Sequence, residues 1–205
     1  MPFALVVAGG RKAAWRDEDA CAIASAAVNV LFVCTGNLCR SPMAWAVLRR
    51  VLSERGCAGI EVASAGTWAD AGNHATSEAC AVVADRGMDL TPHRSRPLDR
   101  EELRRADLVI AMTSVHLREI ESLDSESARK TVLLKELAEL SFDEPPSEDP
   151  RRRLERVLAA KRPEWRRALD LDDPMGLPRA SYERCLGEIE QGVVALVTAL
   201  CPDRS

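Results

Sequence analysis

The chain has no apolar run of the roughly 18 residues that a membrane-spanning helix needs. In the starting stretch MPFALVVAGGRK the charges follow the apolar piece, the reverse of a secretory leader. Both absences predict a cytoplasmic protein with no membrane partner. A basic excess is missing too: 28 Lys and Arg stand against 32 Asp and Glu, for a net charge of -4. Bulk binding of nucleic acid needs a basic surface that releases counterions, so no nucleic-acid partner is expected. There is no C-x-x-C pair and no H-E-x-x-H, and the three histidines, His74, His93 and His116, are far apart. No metal and no other cofactor is predicted. The seven cysteines are odd in number, and without an export signal they do not resemble a disulfide framework.

What is present suffices for one domain: 205 residues, 46% hydrophobic and 29% charged. Residues 1–27 lack sustained periodicity and read as a loosely ordered extension, or as an extra edge strand or helix. From Val28 the pattern is regular through residue 201. VNVLFV is an apolar β-branched run of the kind found in buried parallel strands, and SPMAWAVLRRVLSERG follows it at helical spacing. IEVAS (60–64), DLVIAM (107–112) and TVLL (131–134) predict three further strands. TSEACAVVADRG (76–87) and the segment from Ser114 to Leu123 predict the helices between them. The last helix runs from Ser181, with Tyr182, Leu186, Ile189, Val193, Val197 and Leu200 every three or four residues. Strands alternating with helices imply an α/β fold, a four-stranded parallel sheet with helices on both faces and the ligand at the carboxyl ends of the strands. Residues 141–167 turn from acidic and proline-rich to strongly basic, which marks an insertion, either a solvated helix face or a docking surface for an acidic partner.

The segment CTGNLCRSP, Cys34 to Pro42, begins where the first strand ends. A cysteine six residues before an arginine is weak evidence alone, because Cys80 and Arg86 repeat the spacing inside a helical pattern with no strand in front. Around Cys34 the context differs. Gly36 is read as letting the backbone turn so that successive N–H groups point inward, and Ser41 with Pro42 as an N-cap and first-turn pair opening the next helix. A ring of N–H groups at a helix N-terminus is an anion site, and Arg40 adds a planar fork for two phosphate oxygens. The same environment favours a thiolate, the reactive form of cysteine. Attack on a phosphate ester also needs an acid for the leaving oxygen and then a base for water. DLDDPMG, Asp170 to Gly176, offers Asp173 before Pro174. Asp149 before Pro150 is the competing pair, and its position in the chain is less favourable.

Together these residues resemble the low-molecular-weight protein tyrosine phosphatase family, in CTGNLCRS, in the late Asp173-Pro174 pair, in SAGTW (64–68) and in ADLVIAM (106–112). The resemblance implies the fold of that family and hydrolysis of a phosphorylated protein through a cysteinyl-phosphate. Cys34 would be the nucleophile, and Arg40 with the loop of Thr35, Gly36, Asn37, Leu38 and Cys39 would bind the phosphoryl group. Asp173 would be acid and then base. Asn37 would hold the loop backbone with Ser64 and His93 in support, unless His93 is a surface turn residue, and Ser41 would stabilise the thiolate. Leu38, Trp68 and Met175 would form the substrate pocket, although Trp68 is also readable as a packing residue, and Met175 stands where tyrosine-selective members often carry an aromatic. The rival within the family is protein-arginine phosphatase, which resembles this chain in AMTSVH and LLKEL but carries threonine in place of Leu38. An arsenate reductase would need resolving cysteines near the third strand, and AMTSVHLREIESL has none. A phosphate-binding module without activity would not need Asp173. Oligomeric state has no signature in the sequence.

Overall fold

The computed structural model describes residues 28–140, 149–160 and 169–201. The expectation for residues 1–27 lies outside them, and of the basic insertion only residues 149–160 are described. The elements in order are β1 (Val28–Cys34), α1 (Arg40–Glu54), β2 (Ile60–Gly66), α2 (Ser77–Ala84), α3 (Arg100–Arg105), β3 (Leu108–Ala111), α4 (Ser114–Leu123), α5 (Ser125–Ala128), β4 (Thr131–Leu133), α6 (Leu134–Leu137), α7 (Pro150–Ala159) and α8 (Arg179–Leu200).

The four strands form one parallel sheet in the order β2-β1-β3-β4. β1 alternates between two cores. Val28, Val30, Phe32 and Cys34 face a cluster that includes Met43, Leu48, Val82, Leu186 and Val193, whereas Leu31 and Val33 face Leu103, Leu117 and Ile120. A strand buried on both sides must be apolar at nearly every position, which is why VNVLFV reads as a run and not as an alternation. Its one exposed residue, Asn29, takes its backbone and side-chain N–H groups to Asp107 at 2.8 and 3.1 Å.

Register sets the functional end of the sheet. Cys34 pairs with Gly66, and Val33 with both Ala65 and Ala111, so the carboxyl ends of β1, β2 and β3 finish within one residue of each other. β2 runs two residues beyond the predicted IEVAS because its ladder with β1 continues to Gly66. No side chain fits there, since a Cβ on Gly66 would sit 2.5 Å from the Thr35 carbonyl and 2.8 Å from the Asn37 amide. The loop after β1 therefore rests directly on β2 backbone.

One expectation is corrected. Cys57 and Cys201 form a disulfide, while Cys34, Cys39, Cys80 and Cys185 are free thiols. The pairing brings the turn after α1 against the end of α8, and the spacing of the cysteines in the chain carries no trace of that. The basic insertion contributes α7, whose apolar Leu154 and Val157 join the main core. Asp149 caps α7 through the Arg151 amide at 2.9 Å, with Pro150 in the first turn. Among the described residues, no helix is long and apolar enough to cross a membrane.

The disulfide closes a loop with a sequence separation of 144, so the chain-entropy model gives it about 4 kcal/mol or more. Reduction, or Cys201→Ser, is expected to lower the melting temperature by about 10 °C. Identical melting of oxidised and reduced protein in calorimetry would show that the bond contributes nothing.

Candidate active site

Residues 35–39 join the end of β1 to the start of α1 as an irregular loop. Three carbonyls here are occupied by distant segments: Cys34 O at the end of β1 by the Thr67 amide, Thr35 O by the Trp68 amide and Leu38 O by the Thr76 amide, at 2.9, 2.9 and 3.0 Å. Among the described residues, the amides of Gly36, Asn37, Leu38 and Cys39 donate to no backbone carbonyl. A loop that spends its carbonyls outward and leaves its donors free is suited to an anion.

The residue that bends the loop is Asn37, whose φ of 53° is the only positive value on a described non-glycine residue. Asparagine enters this left-handed region more readily than most residues. Its side chain is fully buried and fixes the conformation. Nδ2 donates to Ser41 Oγ at 2.9 Å and to Ser64 Oγ at 3.0 Å, and Oδ1 accepts the Arg96 amide at 3.0 Å. Ser64 Oγ in turn lies 3.3 Å from His93 Nε2. His93 is 6% exposed, which removes the surface-turn alternative. Two loop expectations are corrected here. The backbone reversal belongs to Asn37 and not to Gly36, where a Cβ would only touch Leu38 at 3.6 Å. Cys39, and not Ser41, occupies the N-cap of α1, without a side-chain capping bond. The Ser41 hydroxyl is instead committed to Cys34 Sγ at 3.0 Å, with the Ala65 carbonyl at 3.4 Å.

Arg40 opens α1 with its guanidinium nearly buried. Nη1 donates to Leu171 O at 3.3 Å, while Nη2 meets Asp173 Oδ2 at 2.6 Å and Thr35 Oγ1 at 3.5 Å. The loop that starts at Cys34 and the Asp-Pro loop thus meet through one ion pair, between Arg40 and Asp173, 133 positions apart. The Met175 amide donates to Asp173 Oδ1 at 3.1 Å and sets the turn of that loop.

A match to the family model described as low molecular weight phosphotyrosine protein phosphatase spans residues 29–160. The chain belongs to that family. A low molecular weight protein-tyrosine-phosphatase of Streptomyces coelicolor is 35% identical over 176 residues, 83% of this chain and 92% of the relative. A protein-arginine-phosphatase of Geobacillus stearothermophilus is 42% identical over 107 residues, 52% of this chain and 69% of the relative. A solved arginine phosphatase, a cysteine-to-serine mutant with a phosphorylated active-site serine, superposes with a TM-score of 0.68 at 30% identity, covering 86% of this chain and 98% of that one.

In this member of the low-molecular-weight phosphatase family the three side chains expected at the substrate pocket are half-buried or exposed. Leu38 is half-buried and leans over Gly36; Trp68 is 77% exposed, with its Nε1 donating to Glu119 Oε1 at 2.7 Å; Met175 and Leu177 are exposed. Cys39 turns its sulfur to Thr76 Oγ1 at 3.4 Å and Tyr182 OH at 3.8 Å, and burial pushes its thiol up from the usual range.

Residues absent from the sequence-level site also stand here. His116 Nε2 lies 2.9 Å from Thr35 Oγ1, Asp170 receives the Ser114 amide at 2.6 Å, and Arg96 Nε donates to Ser64 O at 2.8 Å. The one signal that pointed toward His116 is T-x-x-H at the end of a strand adjacent to β1. Burial holds both His93 and His116 down at about 4, with Arg96 and Arg94 adding to the effect on His93 and Arg40 to that on His116. Unfolded imidazoles bind protons near 6.5 and these two only near 4, so between those values the unfolded chain holds more protons. Stability is accordingly full above pH 6.5 and lost as pH falls toward 4. Denaturant midpoints measured across that window are expected to fall, and to fall less in His93→Gln and His116→Gln; an equal slope in the variants would assign the loss to other groups.

Proposed function

We propose that the protein is a phosphatase of phosphorylated proteins that hydrolyses phosphotyrosine through a cysteinyl-phosphate on Cys34. The observation that carries this reading is the Arg40–Asp173 pair, which sets a carboxyl group against a phosphate-binding guanidinium at the loop of a buried thiol. Arg40 and the amides of Thr35 to Cys39 hold the three non-bridging oxygens. The Cys34 thiolate, with the Ser41 hydroxyl as donor, attacks phosphorus. The P–O bond to the leaving group breaks, and its electron pair takes the Asp173 proton. Water then attacks the cysteinyl-phosphate, Asp173 accepts its proton, and sulfur leaves as thiolate with release of inorganic phosphate. Fixed donors around the phosphoryl oxygens supply most of the rate, as expected where charge is spread over three oxygens. The covalent step is supported by the related arginine phosphatase with its phosphorylated active-site serine.

The rim supports the phosphotyrosine assignment. Leu38, Trp68 and Met175 offer apolar surface to an aromatic ring, whereas the N–H groups of a phosphoarginine would be left unpaired against Leu38. Arginine phosphatase is the rival substrate reading.

Cys34→Ser is expected to abolish turnover and retain phosphate binding. Asp173→Asn is expected to lower kcat about a hundredfold and to tighten inorganic phosphate, because the resident carboxylate no longer competes for Arg40. An unchanged kcat for Asp173→Asn on a poor leaving group would remove it as the acid. On substrate, wild type is expected to favour phosphotyrosine over phosphoarginine peptides in kcat/KM, and Leu38→Thr to shift the ratio toward phosphoarginine; a wild-type preference for phosphoarginine would reverse the assignment.

A further inference from the structure

The turn that ends β3 touches both halves of the site. On one side, the His116 ring reaches Thr35, the residue directly after Cys34, with Nε2 at 2.9 Å from Oγ1. On the other, the Leu171 amide donates to the Met112 carbonyl at 2.8 Å, and Asp170 receives the Ser114 amide and hydroxyl at 2.6 and 3.1 Å. Asp170 and Leu171 lead into Asp173. The ring is only 2% exposed, and its other nitrogen is fixed by Thr113 Oγ1 at 2.9 Å, the same oxygen that accepts the His116 amide at 3.4 Å to cap α4.

The chain of contacts is consistent in polarity with a neutral ring. Arg40 Nη2 donates to Thr35 Oγ1, the Thr35 hydroxyl donates to Nε2, and Nδ1–H donates to Thr113 Oγ1, so each donor meets an acceptor. A cationic ring would instead donate to Thr35 Oγ1, beside the Arg40 donor on the same oxygen, and would place two positive groups around one hydroxyl. Burial together with the Arg40 charge keeps His116 neutral at pH 7.

We propose that His116 is a positioning residue, a brace that holds the phosphate loop through Thr35 and joins it, through the β3–α4 turn, to the segment that carries the acid. It touches no reacting atom. Its effect is to fix Thr35, and with it the start of the loop whose amides meet the phosphoryl group, in register with Asp173. The inference rests on the phosphatase reading above. Binding of inorganic phosphate is therefore measured beside turnover, because it reports the loop without the acid or the identity of the leaving group.

In the full chain, His116→Leu is expected to raise the inhibition constant for inorganic phosphate about tenfold, the size of a coupling between contacting groups, and to lower kcat on phosphotyrosine peptide. His116→Gln keeps a hydrogen-bonding group within reach of Thr35 and is expected to recover most of both. Should His116→Leu fail to fold, Thr35→Val removes the same contact from the other end with little change of shape and is expected to give the same loss. In the double variant Thr35→Val with His116→Leu, which removes the same contact from both ends, the losses are expected not to add. Wild-type phosphate binding and kcat in folded His116→Leu and Thr35→Val, or full additivity in the double variant, would overturn the brace alone. A wild-type protein that binds no phosphate and hydrolyses no phosphopeptide would overturn both the brace and the reading beneath it.

Discussion

The buried side chain of Asn37 is the interaction on which the site depends. A left-handed residue between a strand and a helix is strained unless its surroundings over-determine it, and here three bonds do so: to Ser41, to Ser64 and to the Arg96 amide. Each partner has a second duty. Ser41 faces the Cys34 sulfur, Ser64 ends in His93, and Arg96 lies at the bridge where Gly66 meets Pro97. The absence of a Cβ at Gly66 lets the bent loop settle on β2. The proposed anion site is thus held by fixed bonds of the protein itself, so its donors would need little reorganisation on binding.

Charge at the loop is balanced locally. A buried guanidinium without partners would cost several kcal/mol, and Arg40 meets the Leu171 carbonyl and Asp173. The nearby imidazoles of His93 and His116 are neutral at pH 7 through burial and neighbouring arginines, so they add no positive charge beside Arg40. A chain with a net charge of -4 can in this way concentrate attraction for a phosphoryl group at one point without a basic surface.

The strand, loop and helix around Cys34 were legible because each is encoded by adjacent residues: an apolar run, a change of period, a proline in the first turn. The parallel order of the sheet followed from the alternation of strands and helices. What escaped depends on distance in the chain. His116 meets Thr35 across 81 positions, Asp170 caps a helix 56 positions earlier, and Cys57 and Cys201 join across 144. No local pattern specifies such pairs. Only the turn role of Gly36 and the cap role of Ser41, read from generic preferences, do not hold: positive φ falls on Asn37 and the N-cap on Cys39, while the Ser41 hydroxyl faces sulfur. Asp149 and Asp173 look alike in sequence, and the structure separates them, one capping α7 and the other on Arg40.

The phosphate loop depends most directly on whether the Asn37 side chain, and not only a backbone tolerant of positive φ, holds it for its anion. Asn37→Gly keeps the permissive backbone and removes the three bonds. Titration of inorganic phosphate into this variant, beside wild type and with folding checked by its melting curve, is predicted to show binding weakened about tenfold or more in a folded protein. Phosphate affinity equal to wild type would contradict it.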